Sequence, residues 1–299
     1  MCVIGIDLGA TNITAAIMNE KGKILRELKM KTPYNEDSVS ILKAIVDIVI
    51  QLQSLEFQIN AVGIGTAGRI DKNEGKVTFS GGTIENWKGT EIKSILESKL
   101  GLSVFVDNDV NTAALGNSWL GTGSEFNHYA FVTIGTGLGG ALIHDGKVVS
   151  SKNGGTGEFG HLILYPRGIS CGCGQKGCAE NYVSGTALSN LAKEANPEWD
   201  SFQLIEQYKI GNQIAKKIIY KFVDDLSTVM ISIQNMYDPE AIILGGGVMD
   251  TFTVWEDKLH MSLNENSNMK INVVTSSVGN NAGFIGAAKL AIDGLLKND

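Results

Sequence analysis

The densest group of reactive side chains lies between positions 161 and 178. His161 is followed, after nine intervening residues, by Cys171-Gly-Cys173-Gly-Gln-Lys-Gly-Cys178. One imidazole and three thiolates make a complete tetrahedral set for Zn²⁺, and full protein ligation marks a structural metal with no open position for water. The Cys-x-Cys step is tighter than the usual finger spacing, and Gly172 makes it feasible. The chain has 4 cysteines, the fourth being Cys2. Such crowding fits a metal site in a reducing compartment better than a disulfide framework. His128, His144 and His260 have no such neighbours and read as surface or packing residues.

A second group is acidic. In Val106-Asp107-Asn108-Asp109-Val110-Asn111 an apolar run gives way to a helical pattern. Asn108 or Asp109 could serve there simply as a helix N-cap. Phosphoryl transfer to an alcohol, however, needs one carboxylate to accept the hydroxyl proton, and a strand end is where it should sit.

Three glycine loops complete the set. In Asp7-Leu-Gly9-Ala-Thr11-Asn12, an acid at a strand end can hold Mg²⁺ through water. Gly9 lets backbone approach a phosphate and Thr11 adds a hydroxyl, although an ordinary hairpin turn also accounts for the segment. Gly135-Thr136-Gly137-Leu138-Gly139-Gly140 formally matches the dinucleotide fingerprint Gly-x-Gly-x-x-Gly. That fingerprint needs a helix directly after it. Here a strand pattern, Ala141 to His144, and an Asp145-Gly146 turn follow, so a diphosphate-binding hairpin fits better. No Gly-x4-Gly-Lys-Ser/Thr loop exists, which excludes a P-loop enzyme at motif level. Gly245-Gly246-Gly247 follows the apolar run Ala241 to Leu244. It reads equally as a bare backbone for a flat adenine and as a plain strand-to-helix turn.

The elements that must position these groups are legible as alternating strands and helices. Strand patterns cover Val3 to Asp7, Ile13 to Met18, Lys23 to Met30, Ala61 to Gly65, Val104 to Val106, Ala130 to Ile134, Ala141 to His144, Lys147 to Val149, Ala241 to Leu244 and Ile271 to Val274. Helical spacing covers Asp37 to Leu52, Glu91 to Leu100, Val110 to Leu120, Gly185 to Ala195, Asn212 to Met236 and Ala282 to Leu296. A unit of strand, glycine loop, strand, turn and strand occurs twice, once from Asp7 and once from Gly135. Two α/β halves of this kind suggest two lobes around a cleft, with ligands at the carboxyl ends of the strands.

Composition narrows the partners. The 299 residues are 43% hydrophobic and 19% charged, with 36 glycines and 4 prolines, a normal soluble globular balance. The formal net charge of −7 repels a phosphate backbone, so nucleic acid is not an expected partner. The first residues enter a strand at once, without a secretory pattern. No uncharged run reaches membrane-spanning length. The expected location is the cytoplasm.

In combination and order, these residues resemble the ROK family (repressors, open reading frames and kinases). The resemblance covers nearly the whole chain. It rests on Asp7-Leu-Gly-Ala-Thr, Asn108-Asp109-Val-Asn111, Thr133-Ile-Gly-Thr-Gly-Leu-Gly-Gly, Gly157-Glu158-Phe-Gly-His161, the Cys171 to Cys178 cluster with Glu180 behind it, Leu244-Gly-Gly-Gly247 and Ala282-Gly-Phe-Ile-Gly286-Ala-Ala. It implies a two-lobed, actin-like ATPase (ribonuclease H-like) sugar kinase fold of α/β class with a structural zinc loop. Residues 1–116 plus 285–299 would form a small lobe, and 117–284 a large lobe carrying the zinc. By the same resemblance Asp109 looks like the base for a sugar 6-hydroxyl, while Asn108, Asp109, Glu158, His161 and Glu180 look like sugar ligands. His161, Cys171, Cys173 and Cys178 would hold Zn²⁺. Asp7, Gly9 and Thr11, with Gly135, Thr136 and Gly137, would meet the phosphates of ATP and Mg²⁺, and Gly245 and Gly246 the adenosine.

The implied activity is ATP-dependent phosphorylation of an aldohexose at O6, glucokinase-like, in a homodimer. The same motif set serves kinases of N-acetylmannosamine and other N-acylhexosamines. A non-catalytic sugar-binding regulator is a third reading. Family repressors carry an added N-terminal DNA-binding segment, whereas here the first strand opens at Val3, and Asp109 and both phosphate loops are retained. Two departures stand out. Gly9-Ala10-Thr11-Asn12 replaces the common Gly-Gly-Thr-Lys, losing a lysine charge at the phosphates. Thr83-Ile-Glu-Asn-Trp87 replaces the Asn-Leu-Pro-Gly-Trp of glucokinase-like members, which bears on specificity for plain glucose.

Overall fold

The computed structural model describes residues 1–33, 37–81, 84–151 and 153–298. Thr83 lies outside them. The first half of the chain builds β1 (Cys2–Leu8), β2 (Asn12–Asn19), β3 (Ile24–Lys31), α1 (Ser38–Gln53), β4 (Ile59–Thr66), the short β5 (Arg69–Asp71) and β6 (Lys76–Phe79), α2 (Ile92–Leu100), β7 (Ser103–Asn108) and α3 (Asp109–Leu120). Five of these strands form one sheet in the order β3-β2-β1-β4-β7. β1, β2 and β3 are antiparallel, while β4 and β7 run parallel to β1 and β4 respectively. The central strands are apolar on both faces because helices cover both: Val3, Ile4 and Ile6 of β1 and Ala61, Val62 and Ile64 of β4 are fully buried. At the edge, β3 alternates instead. α1 opens on Asp37, which accepts from the Ser40 N–H, and buries Ile41, Leu42, Ile45, Ile48, Val49 and Leu52 at helical spacing.

The second half repeats the plan. It contains β8 (Tyr129–Ile134), β9 (Leu138–His144), β10 (Lys147–Val148), α4 (Gly185–Ala195), α5 (Ser201–Lys209), α6 (Gln213–Tyr237), β11 (Ala241–Gly245), α7 (Glu256–Asn266), β12 (Val273–Thr275) and α8 (Ala282–Asn298). Its sheet runs β10-β9-β8-β11-β12, with β11 parallel to β8 and β12 parallel to β11. Each strand therefore has a counterpart in the first sheet: β8 for β1, β9 for β2, β10 for β3, β11 for β4 and β12 for β7. The weak repeat in the sequence is a true repeat of topology. After Gly135–Gly137 the chain enters β9 directly, so the helix of a dinucleotide fingerprint is not there. Among the described residues no helix is long and apolar enough to cross a membrane.

The chain divides into two compact units. The first comprises Met1–Asn127, Leu142–Thr156 and Ser277–Asp299; the second comprises His128–Ala141 and Gly157–Ser276. In the first unit α8 lies on the sheet and on α3 at backbone contact, which glycines alone permit. A Cβ at Gly63 would stand 1.7 Å from the Ala287 carbonyl oxygen, and one at Gly286 would stand 1.6 Å from that of Thr112. In the second unit Trp255 meets Phe222 and Phe252 edge-on, with ring centroids 5.8 and 4.9 Å away.

Candidate active site

In the first unit the decisive junction is between β7 and α3. Asn108 caps α3: its Oδ1 accepts from the backbone N–H of Val110 (2.9 Å) and Asn111 (3.2 Å), and its Nδ2 donates to the Gly68 carbonyl at 3.0 Å. One amide hydrogen then remains for a ligand. Asp107 is 3% exposed and fully engaged. It pairs with Lys72 at 2.6 Å and accepts from Asn111 Nδ2 at 2.9 Å and from the Asn108 N–H at 2.7 Å. Asp109 takes the first helical position, half-buried, with its Oδ1 3.0 Å from the Val110 N–H. Asp107 is thus committed to structure, while Asp109 stands where β7 gives way to α3. Lys72, a lysine in a polar turn, carries no local sequence signal of its buried partner. It lines a cavity of about 430 Å³ together with Asn111 and Thr156.

Asp7 is the penultimate residue of β1 in the same unit. It keeps some accessible surface, yet close packing encloses its carboxyl, and a Cβ on Gly283 of α8 would stand 2.6 Å from the carboxyl carbon. Burial first, and the negative charge of Asp109 second, push its pKa up to about 7. Two oxygen donors that disfavour each other's charge fit a hard divalent cation such as Mg²⁺. The loop beyond is a tight turn: the Gly9 N–H donates to the Asn12 carbonyl at 3.1 Å, and Thr32 Oγ1 donates to the Gly9 carbonyl at 2.7 Å. Thr11 is exposed.

In the second unit Gly135–Gly137 joins β8 to β9. The first turn of α4 holds its carbonyls, with the Gly185 N–H donating to Gly135 at 2.7 Å and Thr186 Oγ1 to Thr136 at 2.7 Å. After β11, with Gly245 as its last residue, the chain turns through Gly246 at φ 90°, pressed against Ile134, where a Cβ would lie 2.6 Å from the carbonyl oxygen. A Cβ on Gly137 would stand 3.1 Å from Glu180 Oε2. The structure thus brings Gly135, Gly137, Gly246 and Glu180 together in the second unit, and Asp7, Asn108 and Asp109 together in the first.

The sulfur cluster also belongs to the second unit. The ligand atoms of His161, Cys171, Cys173 and Cys178 all lie within 4.8 Å of one another. Cys173 and Cys178 Sγ are 3.6 Å apart, and Cys171 Sγ is 3.8 Å from His161 Nδ1. Zinc–sulfur bonds of roughly 2.3 Å at tetrahedral angles require sulfurs roughly 3.7 Å apart, so the set fits zinc. Burial pushes the Cys171 thiol up, whereas at Cys173 the hydrogen bonds from Gln175 and the neighbouring thiols overcome burial and bring it down to about 7. Two carboxylates flank the imidazole. Glu180 Oε1 lies 3.5 Å from His161 Nδ1 and 3.0 Å from Cys171 Sγ, and Glu158 Oε2 lies 3.8 Å from His161 Nε2. Glu158, His161 and Glu180 therefore form one polar group around the cluster.

Known proteins are similar to this chain over most of its length. The glucokinase of Streptomyces coelicolor is 33% identical over 311 aligned residues, 96% of each chain. An N-acetyl-D-glucosamine kinase of Yersinia enterocolitica is 30% identical over 268 residues, 85% of this chain and 86% of that one. The crystal structure of a ROK family glucokinase from Streptomyces griseus, in complex with glucose and AMPPNP, superposes with a TM-score of 0.86 at 31% identity, covering 98% of this chain and 100% of that one. The ROK family model itself matches residues 3–294. A match of that length takes in both sheets, the glycine loops and the thiol cluster alike, and the chain belongs to the ROK family.

Proposed function

We propose that this chain is an ATP-dependent hexose kinase that transfers the γ-phosphoryl group to the 6-hydroxyl of an aldohexose, with glucose as the first choice. The observation that carries the reading is the unequal use of the two acids at the β7–α3 junction. Asp107 is paired with Lys72 and held by Asn111, and Asp109, at the first position of α3, is the carboxylate assigned to receive the proton. In the reaction O6 attacks the γ-phosphorus, Asp109 takes the hydroxyl proton, the bond to the bridging oxygen breaks and ADP leaves. Backbone groups of Gly9, Thr11, Gly135, Thr136 and Gly137 meet the phosphates, and Gly245 and Gly246 meet the adenosine. Asp7 would hold Mg²⁺ through water, which supplies charge neutralisation at the phosphates. The free amide hydrogen of Asn108, with Glu158, His161 and Glu180, orients the sugar hydroxyls. The zinc held by His161, Cys171, Cys173 and Cys178 would be structural, fixing the segment that carries His161 and is flanked by Glu158 and Glu180.

A second reading, an N-acylhexosamine as acceptor, is favoured by the 30% identity to the Yersinia N-acetyl-D-glucosamine kinase and by Thr83 in place of the asparagine of glucokinase-like members. ADP release measured against a panel of sugars separates the two, with the product located by phosphorus NMR. Glucose is expected to give the 6-phosphate and 6-deoxyglucose to be inert, and preference for N-acetylmannosamine would favour the second reading. Transfer only to a ketohexose, or only to O1, would overturn both.

A further inference from the structure

All four metal-ligand side chains come from one segment, His161 to Cys178. A metal bound by that segment ties it to itself. It does not fix the segment against the body of its unit, and a sugar held by His161 and Glu180 needs that second constraint.

The segment is stitched internally. The Leu164 N–H donates to the Gly177 carbonyl at 2.8 Å, Ala179 to Leu162 at 2.8 Å and Gly177 to Ile169 at 2.8 Å. Tyr165, by contrast, leaves it and reaches α6. Its hydroxyl donates to Asp225 Oδ1 at 2.5 Å and accepts from Lys221 Nζ at 2.7 Å, while Lys221 also donates to both Asp225 oxygens, at 3.2 and 3.0 Å. The Asp225 side chain is only 8% exposed and stands among the buried Phe222, Val223 and Leu226 of a helix of 25 residues. A buried carboxylate without partners is costly, so Tyr165 and Lys221 are its required complement. The Tyr165 ring packs on that of Tyr182 with centroids 4.7 Å apart, and the Tyr182 hydroxyl accepts from the Ile169 N–H at 2.8 Å. The backbone is shaped to this pair. A Cβ at Gly168 would fall 2.1 Å from the Tyr182 hydroxyl, and one at Gly177 would fall 1.7 Å from the Tyr165 carbonyl oxygen.

We propose that Tyr165, Asp225 and Lys221 are positioning residues for the sugar, forming a latch that fixes the metal-binding segment to α6. The proposal rests on the kinase reading for its effect on sugar binding. Tyr165 stands four residues after His161, and Tyr182 two after Glu180, so the latch sets where both sugar-binding groups point. Metal and latch have separate roles. The metal closes the segment on itself, and the latch orients it.

The test uses the metal-loaded full chain and the variants Tyr165→Phe, Asp225→Asn and Lys221→Met. Tyr165→Phe keeps the ring on Tyr182 and removes only the hydroxyl. Expected in Tyr165→Phe is a rise of about tenfold in the sugar KM, with kcat and the ATP KM within about twofold of wild type. Zinc content should match wild type, and backbone amides of residues 162–179 should exchange faster. Lys221→Met should shift the sugar KM in the same direction. Effects of Tyr165→Phe and Asp225→Asn should not add in the double variant, because both break one network. A folded Tyr165→Phe protein with unchanged exchange in that segment and unchanged sugar KM would overturn the latch. So would loss of zinc, or a fall in kcat with both KM values rising together. If the wild type transferred phosphate to no sugar, the kinase reading would fail by itself, and amide exchange would still decide whether the latch exists.

Discussion

Asp107 and Asp109 stand two residues apart, and their different partners separate their chemistry. Asp7 faces Asp109 with a pKa raised to about 7 from 3.8, which has a measurable consequence for the ligand-free chain. The folded state holds a proton at Asp7 that the unfolded state releases at lower pH. Stability from this group is therefore fully present below pH 3.8 and is lost as pH rises through about 7. Thermal melts of the nucleotide-free, magnesium-free protein should show Asp7→Asn more stable than wild type near about pH 8, with the gap closing toward about pH 5. A variant less stable than wild type at the higher pH would contradict the reading of Asp7 as a strained carboxylate. The sequence alone leaves both Asn108 and Asp109 open as the helix cap. The backbone at Asn108, in extended conformation with its side chain turned onto the helix N–H groups, makes Asn108 the cap, and Lys72 reaches Asp107 from the turn between β5 and β6. Neither is written in the local pattern. The grouping of His161 with Cys171, Cys173 and Cys178 is legible because it sits in residue type and spacing alone.

At the scale of elements, the long and strongly periodic ones stood out. The Gly185–Ala195 helix has the bounds read from the sequence, and α6 differs by a residue at each end. Three features escaped. α5 was signalled by its Asp200/Gln203 capping box but is too short for its periodicity to declare itself. α7 buries only Leu259, Ser262 and Leu263, a face too narrow to read. The β5–β6 ribbon is held by tertiary context more than by its own pattern. Two elements carry predictions. Cys173→Ala should lose the metal and nearly all sugar affinity, while nucleotide binding is mostly retained, because metal-binding energy in such a loop is folding energy; full sugar kinase activity in that variant would refute the structural role of zinc. In α8, Gly286→Val would force side-chain atoms into the Thr112 backbone of α3. Denaturant titration should show a loss of about 3 kcal/mol, with Asp109 displaced along with its helix. An unchanged midpoint would mean that α3 and α8 do not depend on this contact.

At the scale of the whole molecule, duplication is the organising fact. Two sheets of identical strand order place the loops after β1, β7, β8 and β11 at carboxyl ends of strands, where α/β folds collect ligands. The residues singled out for chemistry in these loops are the ends of a repeated scaffold rather than scattered motifs, which is why each piece is weak alone and specific in order. On the function proposed above, this scaffold presents Asp109 as the base for phosphoryl transfer to a sugar hydroxyl. The direct test is steady-state kinetics of Asp109→Asn beside wild type, with sugar affinity measured separately by calorimetry. An amide keeps the shape and the hydrogen bond but cannot take the proton. The expected result is a kcat at least about a hundredfold lower, with sugar affinity largely preserved; near-normal turnover in Asp109→Asn would contradict the account.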